Sequence, residues 1–156
     1  MSHGEEKHPD PSLLDETLDE HAGCMQVVSE LEKCLNPSPD DPRCWLADLD
    51  RRLADLETAL RRHFEGEESG PLFRSLPLQH PRLAEPLARL EAEHTMMLDD
   101  LAVVQRRVET LEDPQDFELR ELNARVLLVV ARIRRHEAAE NELVIEAYWS
   151  EIGVGD

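Results

Sequence analysis

Apolar residues recur at alternating intervals of three and four through four stretches of this chain, with charged residues filling the positions between. An α-helix turns about 100° per residue, so this spacing gathers one apolar stripe on one face. The first stretch, about 13–35, carries Leu14, Leu18, His21, Met25, Val28 and Leu35. The second, about 42–68, carries Leu49, Leu53, Leu56, Leu60, His63 and Glu67. The third, about 82–111, reads Leu83, Leu87, Leu90, His94, Met97, Leu101, Val104, Val108 and Leu111. The fourth, about 117–150, reads Leu119, Leu122, Val126, Val129, Ile133, His136, Glu140, Leu143 and Ala147.

The joints carry turn chemistry. Asn36 to Pro42 is a stiff turn that ends on an Asp cap candidate and Pro42 at a first helical position. Gly70 to Pro81 holds three prolines and reads as a loop, long for a bundle connection. Asp113-Pro114 opens the last joint. Residues 1–11 are polar, with two prolines and with His3 and His8, and read as a flexible tail; Gly153 and Gly155 close the chain. The expected fold is all-α: one up-down-up-down antiparallel four-helix bundle over residues 12–152.

Composition narrows the class. Of 156 residues, 33% are charged and 4% aromatic, and the formal net charge is −18. That balance argues against nucleic acid and anionic membranes as partners and suits attraction of cations. No apolar run reaches membrane-spanning length, so a soluble, cytosolic protein is expected. The three cysteines, Cys24, Cys34 and Cys44, lack a C-x-x-C pair and fit free thiols in a reducing compartment. Met96 and Met97 read as core filler, and Trp45 and Trp149 as caps on the core or a contact in a homodimer.

The polar residues on the stripes carry the chemistry. His21, His63, His94 and His136 each fall on a different helix, and Glu67 and Glu140 follow two of them at the four-residue spacing that stacks side chains. One histidine on an apolar face is more often a core residue bonded to a carbonyl than a ligand. Glutamate is rarely buried without a partner, and six such donors aimed into one core point to metal. His3, His8 and His80 lie off the stripes. Imidazole suits iron, copper, zinc or nickel, and carboxylates add charge neutralisation and can bridge two ions. Two bridging glutamates and four histidines would hold two iron ions, oxo- or hydroxo-bridged, with about two positions open. A closed zinc site takes about four ligands, fewer than are here. A ferritin-like centre needs Glu-x-x-His on two helices, and only Glu91 to His94 matches. A metal-free helical interaction module is the plainest competitor.

The ordered pattern is H…HxxxE…H…HxxxE. Its local marks are Asp-Glu-His21, His63-Phe-Glu-Gly-Glu67, Leu90-Glu-Ala-Glu-His94 and His136-Glu-Ala-Ala-Glu140. This resembles the hemerythrin-like, or HHE cation-binding, family, over about Leu14 to Ala147. The resemblance implies a non-haem di-iron protein that binds or responds to oxygen, peroxide or nitric oxide. A di-iron oxidoreductase with catalase-like peroxide turnover is the alternative. Two departures stand out. Oxygen carriers of the family have a second histidine in the third helix, where this chain has Leu90. They also place an aspartate five residues after the last histidine, where this chain has Asn141 and offers Glu140 instead. Glu65, Glu91, Glu93 and Tyr148 are candidates for the missing donor.

Overall fold

The structure is a computed structural model that describes residues 11–151. The tail expected at the N-terminus lies outside the described residues apart from Pro11, which opens α1, and so do Gly153 and Gly155. The long helices are α1 (Pro11–Cys34), α2 (Pro42–Ser69), α5 (Ala84–Thr110) and α6 (Asp116–Glu151). Between α2 and α5 lie two four-residue helices, α3 (Pro71–Arg74) and α4 (Leu76–Gln79), and a 3-10 turn over Pro81–Leu83. No strand is found among the described residues.

Local chemistry sets the ends. Asp41 caps α2 by accepting from Cys44 N at 3.1 Å, with Pro42 in the first turn. Glu118 reaches back from the first turn of α6 to accept from Gln115 N at 3.1 Å. Asp113, in the joint before it, takes the left-handed conformation at φ 44°.

The stretch 70–81, expected as a loop, is largely helical. Pro71, Pro77 and Pro81 each fall in the first positions of a helical turn, where a missing N–H costs nothing. Gly70 makes the break from α2: a Cβ there would sit 2.8 Å from the Gly66 carbonyl oxygen. The short helices bury Leu72, Phe73 and Leu76.

Each long helix packs on two others: α1 on α2 and α6, α5 on α2 and α6. Trp45 Nε1 donates to Cys34 O at 2.8 Å, joining the start of α2 to the end of α1. Asn123, near the start of α6, exchanges two hydrogen bonds with the Asn36 backbone, at 2.8 and 2.9 Å. Arg107 near the end of α5 meets Glu118 at 3.2 Å. Arg82, before α5, meets Glu146 near the end of α6 at 3.4 Å.

Two apolar clusters result. The larger holds Val28, Leu31, Leu49, Leu53, Leu101 and Ile133 among others. The smaller holds Leu72, Phe73, Leu76, Leu83, Leu87, Leu90, Val144 and Ala147. Along α5, His94 falls between Leu90 of the smaller cluster and Met97 of the larger. Along α6, His136 to Glu140 fall between Ile133 and Val144 in the same way. A polar layer is thus sandwiched between two hydrophobic ones.

Several stripe residues differ from expectation. On α1 the buried line is Thr17, His21, Cys24, Val28 and Leu31, while Leu18 is 40% exposed. Met96 is 64% exposed and Trp149 52% exposed, so neither fills the core; Met97 and Trp45 are buried. On α6, Val144 rather than Leu143 is fully buried.

Candidate metal centre

His21, Glu67, His94, His136 and Glu140 are all buried, and the side chain of His63 is 6% exposed. All six lie in the polar layer. The structure adds Glu137, which is equally buried and which the stripe reading passed over. It sits one residue beyond His136 but three before Glu140, so it shares a ridge of the helix with Glu140. The sequence signal was present in the run His136-Glu137-Ala-Ala-Glu140.

The donors fall into two groups. His21, His63, Glu67, Glu137 and Glu140 each offer one atom within 4.8 Å of all the others. His94, His136 and Glu140 do the same. Glu140 belongs to both. His21 Nε2 lies 2.8 Å from Glu137 Oε2 and 2.9 Å from Glu140 Oε2. His63 Nε2 lies against Glu67 Oε1 and 3.0 Å from Glu137 Oε1. His136 Nε2 and His94 Nε2 lie 2.5 and 3.5 Å from Glu140 Oε1.

Of these contacts only His63 Nε2 with Glu137 Oε1 and His94 Nε2 with Glu140 Oε1 have hydrogen-bond geometry. His21 Nε2, His136 Nε2, both Glu67 carboxylate oxygens, Glu137 Oε2 and Glu140 Oε2 are buried without a partner of acceptable geometry. Six orphaned polar atoms in one layer would be costly if nothing else served them. A cation at the centre of each group serves them, because lone pairs converge where no proton can satisfy them all. The donor chemistry of imidazole and carboxylate fits a transition ion.

Outside this layer the imidazoles are oriented from behind. His21 Nδ1 faces Asn141 Oδ1 at 2.7 Å, His94 Nδ1 faces Glu68 Oε1 at 2.9 Å and His136 Nδ1 faces Glu93 Oε2 at 2.7 Å. Each acceptor assigns a proton to Nδ1 and leaves the Nε2 lone pair directed inward, the usual support for a metal-binding histidine. Phe64 stacks on His94 with centroids 3.9 Å apart and 6° between planes, and Phe73 meets the same ring edge-on at 5.4 Å. Of the residues weighed for a missing donor, Glu93 serves His136 from behind and Glu91 pairs with Arg74 at 2.6 Å. Glu65 is exposed, and Tyr148 packs edge-on against Trp149.

The electrostatics of the metal-free cluster follow from crowding. Burial alone would lower the His21 and His63 pKa values. The neighbouring carboxylates outweigh it: Glu137 and Glu140 for His21, and Glu137 and Glu67 for His63. Both imidazoles are raised to about 10. Burial pushes Glu67 up to about 7 despite His63. For Glu137 and Glu140 burial also opposes charge, but the imidazoles prevail and hold both below the usual carboxylate range. The layer therefore stores protons on nitrogen atoms that a cation would displace.

A helical cation-binding class is what this layer and its supports define. The model of the hemerythrin HHE cation-binding domain matches residues 12–148, and the chain belongs to that family. Comparison with curated proteins and with solved structures returned no match. Among the described residues, no helix is long and apolar enough to cross a membrane.

Proposed function

We propose that this is a non-haem di-iron protein that binds or responds to oxygen, peroxide or nitric oxide. The carrying observation is that Glu140 belongs to both donor groups, while of the other six donors four fall in one group and two in the other. One carboxylate shared between two sets of imidazoles is the arrangement that places two ions side by side. Contacts between the ends of the long helices support reading them as an up-down-up-down bundle: the end of α1, the start of α2, the end of α5 and the start of α6 lie together.

A pair of iron ions would supply reversible one-electron chemistry toward a small oxidant. His21, His63, Glu67, Glu137 and Glu140 would hold one ion, and His94, His136 and Glu140 the other. Asn141, Glu68 and Glu93 fix the rings so that Nε2 faces inward. Phe64 and Phe73 exclude bulk water from the His94 side, which strengthens every charge interaction within.

The test is elemental analysis of freshly purified protein together with its electronic spectrum. About two irons per chain and near-ultraviolet absorption from a ferric pair are expected. A chain purified from iron-replete cells with no stoichiometric metal would overturn the reading. A peroxide-consuming enzyme is the second reading, favoured by the donor count: neither group offers six protein donors among the described residues, so each ion would keep a position for a small molecule. Oxygen evolution from hydrogen peroxide above that of free iron separates it from a binding protein.

A further inference from the structure

A cavity of about 610 Å³ opens between α1 and α2. Its rim includes Glu20, Asp55 and Arg62, all exposed, and inward it is lined by Cys24, which is buried, and His63. Gly23 and Gly66, from the interiors of the two helices, line it as well.

Those two glycines have no other structural reason. Interior glycine weakens a helix, because it adds backbone freedom to the unfolded chain and packs no side chain. It is usually retained for a left-handed conformation or for close approach of another backbone. Neither applies: no unusual φ is found at either position, and a Cβ on either would meet nothing within 4 Å. What a side chain at these positions would occupy is the cavity itself.

A second observation is independent of the glycines. His21, His94 and His136 each have a protein acceptor behind the ring. His63 is paired only through Nε2, toward Glu67 and Glu137, and no protein partner for its Nδ1 is found among the described residues. Its side chain is 6% exposed, and it is the one of the four imidazoles that lines this cavity. With Nε2 directed to the centre, the Nδ1 proton is left to whatever the cavity holds.

We propose that the α1–α2 cavity is the approach and binding site for the small molecule that reaches the centre, and that it takes a small uncharged hydrogen-bond acceptor, for which hydrogen peroxide is the probe. Glu20 and Asp55 outnumber Arg62 at the mouth, and on a chain of net charge −18 this disfavours anions. His63 supplies the donor at the inner end. The proposal rests on the di-iron reading for what the molecule does on arrival, but the route itself is a property of the chain alone.

The experiment has two arms. The first uses metal-free protein with Cys34→Ser and Cys44→Ser, leaving Cys24 as the reporter inside the cavity. Neutral methyl methanethiosulfonate should modify Cys24 at least about tenfold faster than its anionic sulfonatoethyl analogue, and Gly23→Leu with Gly66→Leu should slow the neutral reagent by a similar factor. Retained helicity by circular dichroism checks that the leucines are accommodated. A Cys24 that ignores both reagents, or reacts equally in the leucine variant, overturns the route. The second arm follows the spectral response of iron-loaded protein to hydrogen peroxide. The leucine variant should respond at least about tenfold more slowly at unchanged iron content; an unchanged rate overturns the proposal. Failure of iron loading in every variant would count against the di-iron reading, and the first arm would still decide the route.

Discussion

His21 Nδ1 lies 2.7 Å from Asn141 Oδ1, a contact that spans 120 positions of sequence and ties α1 to α6 across the polar layer. Asn141 stands where oxygen carriers of the family have an aspartate, yet it acts here from behind a histidine. Its amide oxygen holds the proton on Nδ1 and aims Nε2 at Glu137 and Glu140. Asn141→Ala should therefore weaken metal binding by about 10–100-fold in chelator competition. Asn141→Asp keeps an acceptor at the same place and should restore binding. Equal affinity of the alanine variant and the parent would show that the ring needs no such support.

Glu140 and Glu67 stack on His136 and His63 at the same spacing but differ in what they serve. Glu140 belongs to both donor groups and Glu67 to one. Glu140→Ala should purify with little or no iron, while Glu67→Ala should keep roughly half of the parent's content, retained by His94, His136 and Glu140. Iron measured per chain checks both. Full iron in Glu140→Ala would show that the shared carboxylate is dispensable.

How much was readable in advance depended on how broad each helix's buried face is. Along α2 the alternating intervals located Leu49 through Glu67 directly. On α1 the same logic slipped by one residue, because it preferred Leu18 to Thr17; the helix buries the threonine and turns the leucine to solvent. α6 buries adjacent pairs, Leu122 with Asn123, Val129 with Val130 and His136 with Glu137, so its buried face is wider than one stripe, and Glu137 fell just outside the line drawn through His136 and Glu140. Three prolines made 70–81 look like a loop, although proline ends a helix only from within and can begin one. The supports behind the rings, Glu68, Glu93 and Asn141, were out of reach because each depends on the rotation of one long helix against another.

The two methionines at 96 and 97 offer a contrast in stability. Met96 is 64% exposed, and Met96→Lys should change the unfolding free energy by less than about 0.5 kcal/mol. Leu101, one turn beyond Met97 and fully buried in the larger cluster, should cost about 2–5 kcal/mol as Leu101→Ala. Denaturant midpoints measure both. A Met96→Lys loss comparable to that of Leu101→Ala would mean that the Met96 face is covered in solution.

The proton load of the polar layer gives metal-free and iron-loaded protein opposite responses to pH. In metal-free protein, folding raises Glu67 from 4.5 to about 7 and His21 and His63 from 6.5 to about 10. Between those values the folded state binds more protons than the unfolded state, so stability falls as pH rises through each window. Glu137 and Glu140, held below their ordinary 4.5, act the other way: their contribution is present above that value and is lost in stronger acid. Chelator-treated protein should thus be most stable near about pH 4.5 and should melt lower at about pH 9 than at about pH 6. Bound cations require neutral imidazoles, so the stabilisation that iron adds should grow over the same interval. The difference in melting temperature between loaded and metal-free protein should therefore widen from about pH 6 to about pH 9. A constant difference across that range would mean that the buried imidazoles do not exchange protons for metal, and the donor assignment would fail with it.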